Sequence, residues 1–300
     1  MSNSSSFTIA CVLCVGAAPE PYLAPMLASI REAVDLLVVN DNSGSTRSDN
    51  VAILEASAFA ERGALRIHEN PFVDFADMRN RAYAPLLALE PSPDWVLFID
   101  ADEIHGEQIS YLARDVLPRL EPGAARLDAY TYHFFGTFGW ITDIARRSVF
   151  YRFDPQLRWV NAVHEIPTAL RGKAAVVPYI YHHYGNVVQA SVLAEKHQRY
   201  TALGDPTPRP ARAAPNEIFF EQVGRVRPYR GRHPRVARAT IDELEHRNAI
   251  EFAALDAGFR ARRTPGMRLG AGFQSLNESV RVGLRLAKRP GLYRAPIVGR

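Results

Sequence analysis

The segment Asp94-Trp95-Val96-Leu97-Phe98-Ile99-Asp100-Ala101-Asp102-Glu103 places an apolar run directly before three acids in four positions. A hydrophobic strand there delivers two carboxylates, Asp100 and Asp102, at its carboxyl end. Acids this close repel one another unless a cation or a basic partner compensates. Hard divalent cations such as Mg²⁺ and Mn²⁺ prefer oxygen ligands and keep positions open for phosphates. A cation held at this turn would bridge a diphosphate and stabilise the charge on a departing nucleoside diphosphate. The alternative reading is a solvated acidic turn that caps the next helix.

Such a turn needs elements to hold it. Phe7 to Val15 reads as a buried strand, Pro21 to Ala33 as a helix, and Val34 to Val39 as a second strand ending in the polar turn that begins Asn40-Asp41. Helices are expected from about Asn50 to Arg62 and from Phe75 to Leu89, with short strands at Leu65 to His68 and Trp95 to Ile99. This alternation predicts an α/β fold, a mostly parallel central sheet flanked by helices. Ligands of such sheets bind at the carboxyl ends of the strands, where Asp41 and Asp100 fall. Beyond Ala129 the texture turns aromatic, and strands are expected at Tyr130 to Phe138, Ser148 to Phe153, Leu157 to Val163 and Ala174 to Tyr181. Helices are expected at Val236 to Arg262 and Ser275 to Lys288.

Composition bounds the rest. The chain has 300 residues, 47% hydrophobic and 23% charged, enough to bury a core without disulfides. Its two cysteines, Cys11 and Cys14, sit in an apolar strand where residues three apart face opposite ways, so they read as core residues rather than a redox or zinc pair. No stretch approaches the ~20 apolar residues of a membrane span, and the N-terminal run is too short for a signal peptide. A cytoplasmic protein is expected. From Arg209 onward 19 Lys/Arg face 8 Asp/Glu, whereas the first 208 residues hold 17 against 24. The two parts therefore do different jobs.

Four motifs carry a resemblance. Phe98-Ile99-Asp100-Ala101-Asp102-Glu103 resembles the D-x-D segment of GT-A glycosyltransferases of family 2. Val39-Asn40-Asp41-Asn42-Ser43-Gly44-Ser45-Thr46 is similar to the family's V-D-D-x-S-x-D turn, departing at Asn40, where Asp is more usual. Phe75-Ala76-Asp77-Met78-Arg79-Asn80 resembles its A-x-x-R-N helix, and Trp159-Val160-Asn161-Ala162-Val163-His164-Glu165 the W-x-x-x-V-H-E segment of a bacterial subgroup. The similarity spans roughly residues 7 to 200 and leaves the tail uncovered.

The resemblance implies a GT-A (nucleotide-diphospho-sugar transferase) fold with a helical basic C-terminal extension. It divides the chain into a catalytic domain at 1–204 (nucleotide-binding half about 7–103, acceptor half about 129–200), a Pro/Arg-rich linker at 205–235 and an extension at 236–300. It implies a Mn²⁺- or Mg²⁺-dependent enzyme taking a sugar from a nucleotide diphosphate sugar, a UDP-sugar foremost. Synthesis of a cell-surface polysaccharide or glycolipid is the expected setting, with a lipid-linked acceptor as one option. Asp41 would read the nucleobase, Arg79 and Asn80 would sit near the nucleotide, Asp100 would hold the ribose and Asp102 the metal. Alternatively, Arg79 pairs with Asp74 or Asp77, and Asp41 caps its own turn. An inverting transfer needs a general base on the acceptor side, for which Glu165 is the first candidate and Asp143 the reserve. An ion pair of Glu165 with Arg146, Arg147 or Arg171 is the competing reading. Trp159 is the type of residue that stacks on a sugar face. His182 and His183, after an apparent strand, are candidates to complete the metal shell.

Five arginines between Arg225 and Arg235, with no acid among them, and a basic amphipathic pattern around Leu276, Val280 and Leu284 suggest peripheral attachment to an anionic membrane or packing on the acidic domain. Nucleic acid fits poorly, since the arginines lack aromatic interleaving. Two other functions stay open: a sugar-nucleotide-forming nucleotidyltransferase, disfavoured by the absence of a basic residue in Gly16-Ala17-Ala18-Pro19-Glu20, and a non-catalytic nucleotide-sugar-binding relative.

Overall fold

The computed structural model describes residues 7–44, 48–168, 170–205 and 216–288; the side chains of 279 and 281–288 lie outside the description. Ser45 and Thr46 of the turn that begins Asn40-Asp41, residues 206–215 of the Pro/Arg-rich linker and residues 289–300 of the tail therefore fall outside it.

The chain forms two compact units, Met1–Asp128 with Ser148–Val176, and Ala129–Arg147 with Val177–Arg300. This division does not follow the chain-order boundaries expected at 204 and 235. The first unit opens with β1 (Ile9–Val15), α1 (Leu23–Ile30), β2 (Leu36–Asp41), α2 (Asp49–Glu55), α3 (Ala58–Glu61), β3 (Leu65–Glu69), α4 (Phe75–Tyr83) and β4 (Trp95–Ile99). The strands lie in the order β3-β2-β1-β4, all parallel, with Leu13 level with Val39 on one side and Ile99 on the other. Every residue of β4 is buried, as expected for a parallel strand covered on both faces. Val12, Val38, Val96 and Phe98 pack with Ala76, Tyr83 and Leu86 into one core cluster beneath α4.

Two expected helices are shorter than their periodicity suggests. The 50–62 segment breaks at Ser57, whose backbone is extended, into α2 and α3. The 75–89 segment ends its α-helix at Tyr83 and continues as a 3-10 turn over Ala84–Ala88, because Pro85 has no N–H to donate.

After β4 come β5 (Glu103–Ile104), α5 (Gln108–Tyr111), β6 (Ala124–Phe135), β7 (Thr137–Arg152), β8 (Arg158–Val160), β9 (Ile166–Thr168) and β10 (Lys173–His183). The end of β7 pairs antiparallel with β4, Trp95 opposite Arg152, and β8 and β9 form a hairpin with Val160 opposite Ile166. The result is a mixed α/β fold whose first four strands are parallel.

The second unit holds the remainder of β6, β7 and β10, then α6 (Ala190–Ala202), α7 (Glu217–Phe220) and β11 (Arg227–Pro228), which pairs with β7. Three helices follow: α8 (Arg238–Arg247), α9 (Ala249–Arg262) and α10 (Pro265–Lys288). The single helix expected over 236–262 is thus two, parted at Asn248. No helix among the described residues is long and apolar enough to cross a membrane.

Candidate active site

The site grows from the carboxyl ends of β2 and β4. Asp41 is the last residue of β2, and its carboxylate accepts from the Ser43 backbone N–H and hydroxyl, both at 2.9 Å. That is the geometry of a turn-capping aspartate. Asp100 follows β4 directly. Its own N–H donates to Glu103 Oε2 (3.2 Å) and its carbonyl accepts from the Glu103 N–H (3.0 Å), so Glu103 closes the acidic turn. The Asp100 carboxylate remains 45% exposed, open to a ligand. Asp102 is half-buried in the same turn. It stands close enough to Tyr22 that its charge helps hold that phenol above its usual range, after burial itself.

Arg79 ties this turn to a distant loop. Its Nη2 donates to Asp100 Oδ1 (3.0 Å) and its Nε to Glu165 Oε1 (2.5 Å). Its guanidinium also sits 5.2 Å from the Trp159 ring centre. Burial alone would weaken the charged form of Arg79, but the carboxylates of Asp100 and Glu165 outweigh it and keep the group firmly cationic. The helix-surface pairing considered for Arg79 does not form, because Arg81 takes Asp77 (2.7 Å) and Asp74 caps α4 by accepting from the Asp77 N–H. Within the same unit Glu165 pairs with Arg79, and only 15% of its side chain is exposed. Glu165 thus shares a guanidinium with Asp100 rather than standing apart from it.

The loop that carries Glu165 is constrained. Asn161 and His164 both have positive φ, +75° and +57°, in the left-handed region that non-glycine residues rarely occupy. The loop is pinned to α4 where the Phe75 N–H donates to the Ala162 carbonyl (3.1 Å). Asn80 completes the attachment: its amide donates to the Trp159 carbonyl (2.9 Å) and accepts from the Trp159 N–H (2.8 Å). Asn80 therefore acts as a positioning residue for β8. Trp159 corrects an expectation, since its ring is not presented as a stacking face. It is buried in the core cluster against Phe98 (5.0 Å) and Tyr151 (5.9 Å).

Two asparagines shape the site in roles that sequence reasoning did not assign, Asn40 noted only as a departure and Asn50 only as the start of a helix. Asn40, fully buried, donates to the Met78 carbonyl (3.0 Å) and accepts from Asn70 (2.8 Å). An aspartate there could accept but not donate, which gives the departure at this position a structural reason. Asn50, also fully buried, donates to the carbonyls of Gly16 and Ala18 and accepts from the Glu20 N–H, so it sets the loop after β1. Asparagine carries no periodic signal; Asn40 sits at the carboxyl end of β2 and Asn50 in the first turn of α2.

The other candidates lie in the second unit. Asp143 accepts from Thr142 Oγ1 (3.2 Å), His182 Nε2 meets Tyr229 Oη (2.8 Å), and His183 Nδ1 meets His133 Nδ1 (2.8 Å). Among the described residues no three His, Cys, Asp or Glu side chains are grouped as a ready-made metal cage. Of the expected shell, Asp100 and Asp102 belong to the first unit and His182 and His183 to the second. The cysteines are free thiols; burial pushes Cys14 up to about 12 and Cys11 well above its usual range, which leaves both unreactive.

The unit thus presents a carboxylate turn at the end of a parallel strand, held by one shared arginine. No family model matches the chain, and no curated protein matches it. Solved structures of glucosyl-3-phosphoglycerate synthase from Mycobacterium tuberculosis do resemble it in part. The complex with Mn²⁺, UDP and glucosyl-3-phosphoglycerate is 21% identical over 42% of this chain and 45% of that one, at a TM-score of 0.30. The complex with Mg²⁺ and UDP is 20% identical over 42% and 44%, also at 0.30. The match thus spans less than half the length of the synthase chains it aligns with.

Proposed function

We propose that the chain is a divalent-metal-dependent glycosyltransferase using a nucleoside diphosphate sugar, with a UDP-sugar as the first donor to test. The observation that carries this reading is the half-open Asp100 carboxylate in the acidic turn after β4, bridged through Arg79 to Glu165. Asp100 and Asp102 supply hard oxygen donors, the ligand type that Mg²⁺ and Mn²⁺ favour. Two carboxylates fit an ion that completes its shell with water and diphosphate oxygens rather than a full protein cage. When bound, the ion supplies charge neutralisation for the departing diphosphate.

The chain's own groups do the rest. Arg79, which donates to Asp100, would pass these hydrogen bonds to a phosphate oxygen, a bidentate partner that suits a guanidinium. Glu165 Oε1 is engaged by Arg79, so Oε2 is the atom to accept the proton of the acceptor hydroxyl. As that hydroxyl oxygen bonds to the anomeric carbon, the bond from carbon to the diphosphate breaks and the diphosphate leaves with the electron pair. This is an inverting displacement.

The test is thermal stabilisation by UDP with and without Mn²⁺, because a ligand bound only to the native state raises its melting temperature. A metal-dependent shift that vanishes in Asp102→Asn supports the reading. Equal shifts in the two proteins overturn it. Release of UDP rather than pyrophosphate from a UDP-sugar separates it from nucleotidyl transfer.

A further inference from the structure

Helix α10 is docked with its polar side inward. Arg227, itself buried, donates to Ser275 Oγ and pairs with Glu278, and the Ile144 N–H donates to Glu278 Oε1 (3.3 Å). At 3.6 residues per turn Glu278 lies about 180° around the helix from Leu269. On that opposite side Leu269, Phe273, Leu276 and Val280 form a stripe in which each residue is between 48% and 72% exposed. A helix normally buries its apolar stripe, so something else covers this one. The helix also contains Gly266, Gly270, Gly272 and Gly283, residues that weaken a free helix and make it dependent on packing.

The spacing says what kind of surface covers it. The apolar series 269, 273, 276, 280 continues in the sequence to Leu284 and Ala287, five steps over 18 residues, or 3.6 per step. That period keeps a straight helix flat on a plane, whereas a two-stranded seam requires 3.5 and would put Gly283 in line with Leu269 and Leu276. Charge points the same way. After Glu278 the sequence carries six basic residues and no acid.

We propose that α10 is a membrane-surface helix. Leu269, Phe273, Leu276 and Val280 enter the interface of a bilayer with anionic headgroups, while the Arg227–Glu278 clasp fixes the helix to the protein from behind. The inference is independent of the transferase reading, since binding needs no donor or metal.

The experiment is sedimentation of the full chain with phosphatidylcholine vesicles, alone or mixed with phosphatidylglycerol, at low and high salt. The wild type should sediment with the anionic vesicles at low salt and be released as salt rises. Phe273→Glu/Leu276→Glu, on exposed positions, should lower partitioning at least tenfold with unchanged circular dichroism. Arg281→Gln/Arg285→Gln/Lys288→Gln, which leaves the apolar stripe intact, should lower it roughly a hundredfold, at about fivefold per basic residue near an anionic surface. A wild type that stays in the supernatant overturns the proposal, as does binding indifferent to both variants. A dimer in light scattering that the glutamate variant dissolves, without vesicle binding, would assign the stripe to a second copy and overturn it equally. Loss of vesicle binding would leave the UDP and Mn²⁺ response intact, so the two readings fail separately.

Discussion

Arg79→Met removes the cation that joins Asp100 to Glu165 while keeping most of the side-chain volume. The two halves of the bridge should not contribute equally. Asp100 is nearly half exposed, so its pairing is surface-like and contributes roughly 0–1 kcal/mol. Glu165 is mostly buried, and stripping a buried ion of its partner costs about 3–5 kcal/mol. Partial solvent access places this case at the lower end, and the lost contact with Trp159 adds about 0.5–1 kcal/mol. The expected destabilisation is therefore about 3.5–5 kcal/mol by urea denaturation. Most of it should be recovered in Arg79→Met/Glu165→Gln, where no buried charge is left unpaired. A double-mutant cycle reads this directly, and a coupling of about 2 kcal/mol is expected. If Arg79→Met costs less than about 1 kcal/mol, or if the two substitutions are additive, the bridge is not what holds the 161–165 loop to α4.

Further outcomes follow from the same geometry. Asp102→Asn should abolish Mn²⁺-dependent nucleotide binding in calorimetry while leaving the urea midpoint unchanged. Glu165→Gln should lower turnover about 10²–10⁴-fold with donor affinity retained, and a collapse of donor affinity would place Glu165 in the donor site instead. Asn40→Asp should destabilise by about 1–3 kcal/mol, since the Met78 carbonyl loses its donor and gains a facing charge, and denaturation at neutral pH reads it. Burial lowers His105 to about 3 and His233 to about 4, below the ordinary unfolded value near 6.5. The unfolded chain then binds more protons, so the stability these residues contribute is complete above about pH 6.5. It is lost by up to ~1.4 kcal/mol per pH unit for each as pH falls toward those values. Urea titrations across this range should show a shallower slope in His233→Gln.

What was legible in the sequence depended on whether a signal was local. A strand covered on both faces is an uninterrupted apolar run, so β4 and the acids that end it could be read directly. Arg79 could be located but not its partners, because Glu165 lies 86 residues away and its loop follows no period. The stretch of β7 from Gly139 to Arg147 went unseen because Gly139, Thr142, Asp143, Arg146 and Arg147 break any alternation. The start of α10 was hidden by Gly266, Gly270 and Gly272, which read as breakers although the helix runs through them. Trp159 was misread in the other direction. Its residue type suggested a sugar platform, and only the packing of Phe98 and Tyr151 shows that it is core.

The discontinuity of the first unit has a consequence for synthesis. The chain leaves that unit after Asp128 and returns to it at Ser148, so Arg79 and Asp100 emerge well before Trp159 and Glu165 exist. At about 5–20 residues per second the 86 residues between Arg79 and Glu165 take roughly 4–17 s to make. Small-domain folding steps are fast on that scale. The parallel strands β1 to β4 must therefore wait, with α4 lacking the aromatic floor of Tyr151 and Trp159 and with Arg79 held by Asp100 alone. A nascent chain stalled near Asp128 should expose the apolar residues on which Trp159 later closes, and should recruit a holding chaperone that a chain released past Val176 no longer needs.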